Sequence, residues 1–315
     1  MILIKGSGTD YNSDLSRNYH KTMIEQDCLR RFLFEEHAVR GEWVRLQQSL
    51  TAAKQHQVLA NEAVDSQLGQ ALAAAVLLSA TIKFKGAMIM QIQGSGELTA
   101  LVVQASNDFK IRGLLRSEAE VKANNLKAMI GEGGRLVITL EAENGERYQG
   151  IVGVEAENLA GVLTSYFKQS EQLDTRLWLF ANATHAAGLM LQELPGDKKD
   201  PLDWQHLEML ANTITEDELL NLDCETLLHR LFNQEKVRVY DPEPVAFHCG
   251  CSRQKIGITL AAMGREELHD ILQQQTTIEV DCQFCGAQYR FDAVDVENLL
   301  NNPNAETDPQ PTFLH

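Results

Sequence analysis

The spacing of apolar positions changes character along the chain. Residues 1–22 (MILIKGSGTDYNSDLSRNYHKT) show no period and lead up to a second methionine, Met23, so they read as a disordered tail or an upstream start and are set aside. Cys28, Leu29, Phe32 and Leu33 recur at helical spacing, which predicts a short amphipathic helix over Cys28–Phe34. A longer helix over Val58–Thr81, rich in Ala and Leu, carries enough apolar surface to be buried on most sides. The period then drops to two. Met88, Met90 and Ile92 alternate with other residues, Gly94-Ser95-Gly96 supplies a turn, and Leu98–Gln104 returns as a hairpin. A second hairpin runs Leu136–Leu140, turns at Asn144-Gly145 and returns as Arg147–Val154, the Asn-Gly pair suiting a tight turn. A helix over Asn158–Gln169 and a strand over Arg176–Ala181 complete a mixed α+β domain spanning residues 23–195.

Residues 196–245 differ: twelve Asp/Glu stand against five Lys/Arg, with short helical patterns at Trp204–Asn212, Thr215–Leu222 and Glu225–Phe232. Thr215 followed by Glu218 forms a capping-box pattern. Helices this short hold only when docked on a neighbour, so the segment reads as a metastable helical linker. Asp241-Pro242-Glu243-Pro244 breaks it before a last unit, residues 246–300. A unit of that size has a marginal core unless a metal, disulfide or partner staples it. Residues 301–315 read as a second disordered tail. The fold class is therefore α+β, with a large mixed domain, a helical linker and a small carboxy-terminal domain.

Charge and length narrow the function. Forty-four acidic against 28 basic residues give a net charge of −16, with no basic stretch to neutralise a phosphate backbone, so nucleic acid is not the expected partner. The longest apolar run, Ala71–Ile82, falls short of the roughly 20 residues of a membrane span, and Met1–Ile4 is too short for a signal-peptide core. A reducing cytosol is the expected compartment, and there clustered cysteines point to metal or redox chemistry rather than to structural disulfides.

Four of the six cysteines cluster: Cys249-Gly250-Cys251, then Cys282-Gln283-Phe284-Cys285-Gly286 after thirty intervening residues. Two close pairs separated by a helical insertion supply the four sulfurs of a closed tetrahedral zinc site, at about 2.3 Å from the ion. Ile278, Val280 and Cys282 before, and Tyr289 and Phe291 after, place the second pair at a hairpin tip. His248 could compete as a ligand, but four thiolates already fill the sphere. Four-cysteine sites are commonly structural. The Cys-X-Cys half departs from the usual ribbon, however, and its deprotonated sulfurs are the species that oxidants attack. Zinc binding at such sites is worth about 10–16 kcal/mol, which in so small a domain is folding energy, so oxidising the ligands should unfold the module.

The chain resembles the heat-shock protein 33 family, the redox-regulated bacterial chaperone. The matching stretches are His37-Ala38-Val39-Arg40-Gly41-Glu42, Arg147-Tyr148-Gln149-Gly150-Ile151-Val152-Gly153, Ser170-Glu171-Gln172-Leu173 with Thr175-Arg176, Val239-Tyr240-Asp241-Pro242, and the full cysteine pattern. The likeness runs from about Met23 to about Asn302; the departures are the first 22 residues and Asp174, where the family pattern has proline. The resemblance implies an ATP-independent holdase, not an enzyme, that is inactive while reduced and zinc-bound. On oxidation Cys249 would pair with Cys251 and Cys282 with Cys285, zinc would leave, the module and linker would unfold, and a homodimer that binds unfolding client proteins would replace a monomer.

The other reading is a zinc-ribbon interaction protein with constitutive structural zinc. Cys28 and Cys224, beside leucines on helical patterns, are expected to be buried and redox-silent. Met88 and Met90 are expected in the core. Arg40-Gly41-Glu42 reads equally as a functional surface or as a loop with a salt-bridged pair, and Gly131-Glu132-Gly133-Gly134 lacks the lysine of a phosphate-binding loop.

Overall fold

The computed structural model describes residues 27–81, 85–195 and 202–301; the expectations for residues 1–22 and for the carboxy-terminal tail beyond Asn301 lie outside these. The chain divides into two compact units, one ending at Phe247 and the other beginning at His248 and taking in Gln55–Gln57.

The first unit opens with β1 (Cys28–Phe34) and β2 (Val39–Leu46), then α1 (Gln48–Lys54) and α2 (Glu62–Thr81). Next come β3 (Gly86–Gln93), β4 (Leu98–Ser106), β5 (Lys110–Ser117), α3 (Leu126–Ile130), β6 (Arg135–Ala142) and β7 (Arg147–Gly153). After α4 (Leu159–Tyr166) follow β8 (Thr175–Ala181) and β9 (Ala186–Glu193). The later strands β10 (Val237–Val239) and β11 (Glu243–Pro244) both pair with β1, which gives a sheet ordered β10-β1-β2-β9-β8 with β11 alongside β10. A second sheet runs β12-β5-β4-β3-β6-β7, with β12 (Ala246–Phe247) its one parallel strand.

Helix α2 touches β2, β8 and β9 of the first sheet and β3, β4 and β5 of the second. By length and composition it could cross a membrane, yet 72% of its most apolar window is buried inside this fold. Its alanines at 71 and 73–75 keep it slim enough to pack on both sides. It begins at Glu62, four residues later than the apolar pattern suggests, and Val58 is exposed. Met88 and Met90 lie in the core that it shares with both sheets. Asn158 caps α4 by accepting from the Gly161 amide at 2.8 Å, but the expected helix to Gln169 widens after Tyr166 into a π-turn over Phe167–Glu171.

The expected helix at Cys28–Phe34 is instead the strand β1. Cys28, Phe32 and Phe34 face one side of the sheet and Leu29 the other, and both sides are buried. A strand buried on two faces loses the polar alternation that marks strands in sequence, so its apolar residues mimic helical spacing. The same burial hid β2 and β9. Arg40-Gly41-Glu42 is therefore strand rather than loop, with Arg40 Nε 3.7 Å from a buried Glu42. Burial pushes the Glu42 carboxyl up to about 7 despite Arg40 and Arg31.

The outer face of the first sheet is covered by α5 (Asp203–Ala211), α6 (Glu216–Asn221) and α7 (Cys224–Phe232). Leu207, Leu219, Leu220, Leu227, Leu228, Leu231 and Phe232 bury against Phe32, Phe34, Trp43, Leu189 and Leu191. The Thr215–Glu218 capping box forms: the Thr215 hydroxyl accepts from the Glu218 amide at 3.3 Å, and Glu218 accepts from the Thr215 amide at 2.9 Å. Buried Arg30 of β1 donates to Glu225 of α7 at 3.2 Å. Cys28 and Cys224 are fully buried within this interface.

In the second unit, α8 (Arg253–Ala261) and α9 (Arg265–Gln274) precede the hairpin β13 (Ile278–Asp281) and β14 (Gln288–Phe291), and α10 (Ala293–Asn301) closes it. Its core is small: Leu260, Leu268, Ile278, Tyr289, Phe291, Val296 and Leu299 carry most of it.

A Cβ built on Gly41 would lie 2.1 Å from the ring of Phe32, its cross-strand partner. Gly41→Val should therefore destabilise the first unit by about 1–3 kcal/mol through overpacking, measured as a lower urea midpoint by circular dichroism.

Candidate metal centre

The cysteine pairs reach one another because each sits at a sharply turned end of an element. Cys249-Gly250-Cys251 ends where Ser252 caps α8, its hydroxyl accepting from the Lys255 amide at 3.2 Å. The Lys255 ammonium folds back to donate to the Gly250 carbonyl at 2.7 Å and pins this half. Cys282 and Cys285 sit in the turn between β13 and β14. There the Gly286 amide donates to the Cys282 carbonyl at 2.7 Å, and the Cys282 amide donates to the Ala287 carbonyl at 2.8 Å. Gly286 has φ +69°, a left-handed conformation that glycine adopts without penalty. Arg253 stacks on Phe291, 4.3 Å from its ring centroid, and pairs with Asp295 at 2.6 Å, tying α8 to the hairpin and to α10.

The result is a single constellation. The Sγ atoms of Cys249, Cys251, Cys282 and Cys285 all lie within 4.8 Å of one another, and none of the four is in a disulfide. The Cys249 and Cys282 sulfurs are 3.6 Å apart, and the Cys251 and Cys285 sulfurs 3.4 Å. A tetrahedron of sulfurs at about 2.3 Å from an ion has edges of about 3.8 Å, so the four fit one thiophilic cation. Both of these contacts run between the two sequence pairs, as interleaved ligands of one centre should.

Electrostatics point the same way. Burial pushes the Cys285 thiol well above its ordinary range, and the nearby Cys251 and Cys249 sulfurs push it further. Four thiolates cannot coexist here without a positive charge, and a coordinated divalent ion supplies one. The buried Tyr289 of β14 donates its hydroxyl to the Cys251 sulfur at 3.2 Å, an outer-shell contact that sequence reading missed. The alternation that placed Tyr289 on the inner face of the hairpin was legible, but its hydroxyl's target was not. His248 is exposed and outside the four-sulfur group. Cys28 and Cys224 belong to the buried linker interface of the other unit. The Gly131–Gly134 segment is the connection from α3 to β6.

Comparison with known proteins fits this geometry. The model of the Hsp33 protein family matches residues 27–292. The chain belongs to the Hsp33 family. A 33 kDa chaperonin of Nitrosococcus oceani is 51% identical over 279 residues, covering 88% of this chain and 96% of that protein. The 33 kDa chaperonin of Pseudomonas aeruginosa is 44% identical over 289 residues, with the same coverage of each. The crystal structure of the Thermotoga maritima 33 kDa chaperonin superposes with a TM-score of 0.76 at 21% identity, covering 88% of this chain and 98% of that one, and shares the fold. As an Hsp33-family protein the chain is a chaperone, with a four-cysteine cluster able to hold a metal ion.

Replacing Cys282 with Ser removes one of the four sulfurs. Adding Co²⁺ to the metal-stripped, reduced wild-type protein should produce thiolate charge-transfer absorption with tetrahedral ligand-field bands. The Cys282→Ser variant should lose most of that signal at equal cobalt.

Proposed function

We propose that this chain is a redox-switched, ATP-independent holdase whose metal is zinc. The observation that carries the reading is the convergence of four reduced cysteine sulfurs on one point inside a unit with a small core. Bound zinc would supply the charge that keeps four sulfurs deprotonated, and the cross-link that a core of this size lacks.

The reduced sulfurs are electron donors. Pairing Cys249 with Cys251 and Cys282 with Cys285 forms two S–S bonds and gives up four electrons. Two equivalents of peroxide or hypochlorite accept them, one per disulfide, ending as water or as chloride and water. The pairing follows the family resemblance, and every sulfur lies within reach of every other. Bridged sulfurs no longer offer thiolate ligands, so the module loses its cross-link and unfolds.

That loss is felt by the linker through the chain itself. The second unit begins at His248, directly after β12 (Ala246–Phe247), the last strand of the linker's end. Helices α5, α6 and α7 are short, and their stability comes from docking on the first sheet. Once they leave, Phe32, Phe34, Trp43, Leu189 and Leu191 face solvent as an apolar surface fit for unfolding client proteins. The same surface promotes homodimer formation in the oxidised state, while the reduced chain stays monomeric. A reducing cytosol, where the four thiols persist until stress, is the compartment that suits this cycle.

Light scattering of a thermally aggregating client tests the switch. The reduced, zinc-loaded protein should leave aggregation largely unchanged, and the peroxide-treated, desalted protein should suppress it while a zinc dye reports about one ion released per chain. Equal protection in both states, or zinc retained after oxidation, would support the constitutive zinc-ribbon reading instead.

A further inference from the structure

We propose that the linker is latched to the turn between β1 and β2 by a protonated histidine, His37, so that its docking loosens as pH rises. His37 lies between two carboxylates brought in by different linker segments. Its Nδ1 is 3.0 Å from the Asp203 Oδ2 at the start of α5, within ion-pair range though too bent for a hydrogen bond. Its Nε2 is 2.8 Å from the Glu235 Oε2, just past the end of α7. The other oxygen of Glu235 takes His206 Nε2 of α5 at 2.8 Å. A neutral imidazole has one N–H and would turn a lone pair toward one of these carboxylates. Only the imidazolium presents a positive N–H edge to both.

Among the described residues, the other carboxylates on this turn already have basic partners. Glu36 and Glu35, on the same turn, are paired with Lys236 at 2.5 Å and Arg238 at 2.7 Å from the β10 side. The Phe34 ring stands edge-on at 6.3 Å. Side-chain exposure is 17% for His37 and 11% for Glu235, so water screens the pair far less than a surface ion pair. Burial pulls the imidazole down, but Asp203 and Glu235 outweigh it and hold it above its ordinary 6.5. Burial also pushes the Glu235 carboxyl up, and the two histidines bring it below its ordinary value.

The direction follows from linkage. A histidine raised in the docked state contributes fully below pH 6.5, and that contribution is lost as pH climbs through the docked value. A depressed Glu235 contributes above its ordinary 4.5 and loses that contribution as pH falls through its docked value. Docking is therefore tightest between pH 4.5 and 6.5, and weakens as pH climbs from there through the docked value of His37. Glu42 titrates near neutrality too, but on the face of β2 turned away from the linker helices. The latch does not depend on the redox reading, because it concerns docking in the reduced full chain.

The chain carries its own reporter. All three tryptophans, Trp43, Trp178 and Trp204, belong to the linker–sheet cluster, and Trp178 Nε1 donates to Asn212 at the end of α5 at 3.2 Å. Urea titrations of the reduced, zinc-loaded full chain, followed by tryptophan emission at about pH 6 and about pH 8.5, read linker release. The wild-type midpoint should fall at the higher pH, the docking constant changing about tenfold for each unit by which the imidazole is raised. His37→Gln should remove most of this pH dependence, and His206→Gln should keep it. A wild-type midpoint that does not move, or a His37→Gln variant that shifts as much as wild type, overturns the latch. Proton NMR of His37 in the wild-type chain decides the case even if the variant undocks. A titration midpoint above 6.5 supports the proposal, and one at or below it overturns it.

Discussion

A sheet that is apolar on both faces needs two covers, and the architecture of this chain follows from that requirement. One face of the first sheet is closed permanently by α2 and the second sheet, which share one continuous core with it. The other face is closed by three short helices that have little stability of their own. The first cover belongs to the body of the unit. The second is made of separate short helices held by their packing on the sheet.

The small carboxy-terminal unit faces the opposite shortage. Among the described residues its apolar core holds nine buried residues, one of them Cys282, a small core against the entropy of ordering the chain, which is why four sulfurs gathered at one point matter energetically. Apolar burial is thus distributed unevenly, with a large shared core in the first unit and a small one in the second.

Much of this was legible in the sequence, and the failures share a cause. The hairpins at Met88–Gln104 and Leu136–Val154 were readable because each pairs a period of two with a turn at Gly94–Gly96 or Asn144-Gly145. The linker helices were readable from Thr215 and Glu218, whose side chains and amides satisfy each other locally. Strands β1, β2 and β9 escaped because burial on both faces erases alternation, and the helical reading of Cys28–Phe34 was its direct product. The sulfur cluster was legible from spacing alone, since two short cysteine pairs leave few other chemistries. The Tyr289 contact and the histidine between Asp203 and Glu235 were not, because they join residues up to 198 apart through tertiary packing that carries no local pattern.

Strands β10 and β11 run antiparallel along β1 in the register Phe34↔Val237, Phe32↔Val239, Leu29↔Glu243 and Cys28↔Pro244. The chain leaves this seam after Pro244 and runs through β12 to His248, where the second unit begins. A seam loaded at its end peels like tape, one bond pair after another, whereas a seam loaded along its length must shear all of its pairs together. Undocking from that end would part the two β12–β5 pairings and then five pairings on β1 before it reached the helices.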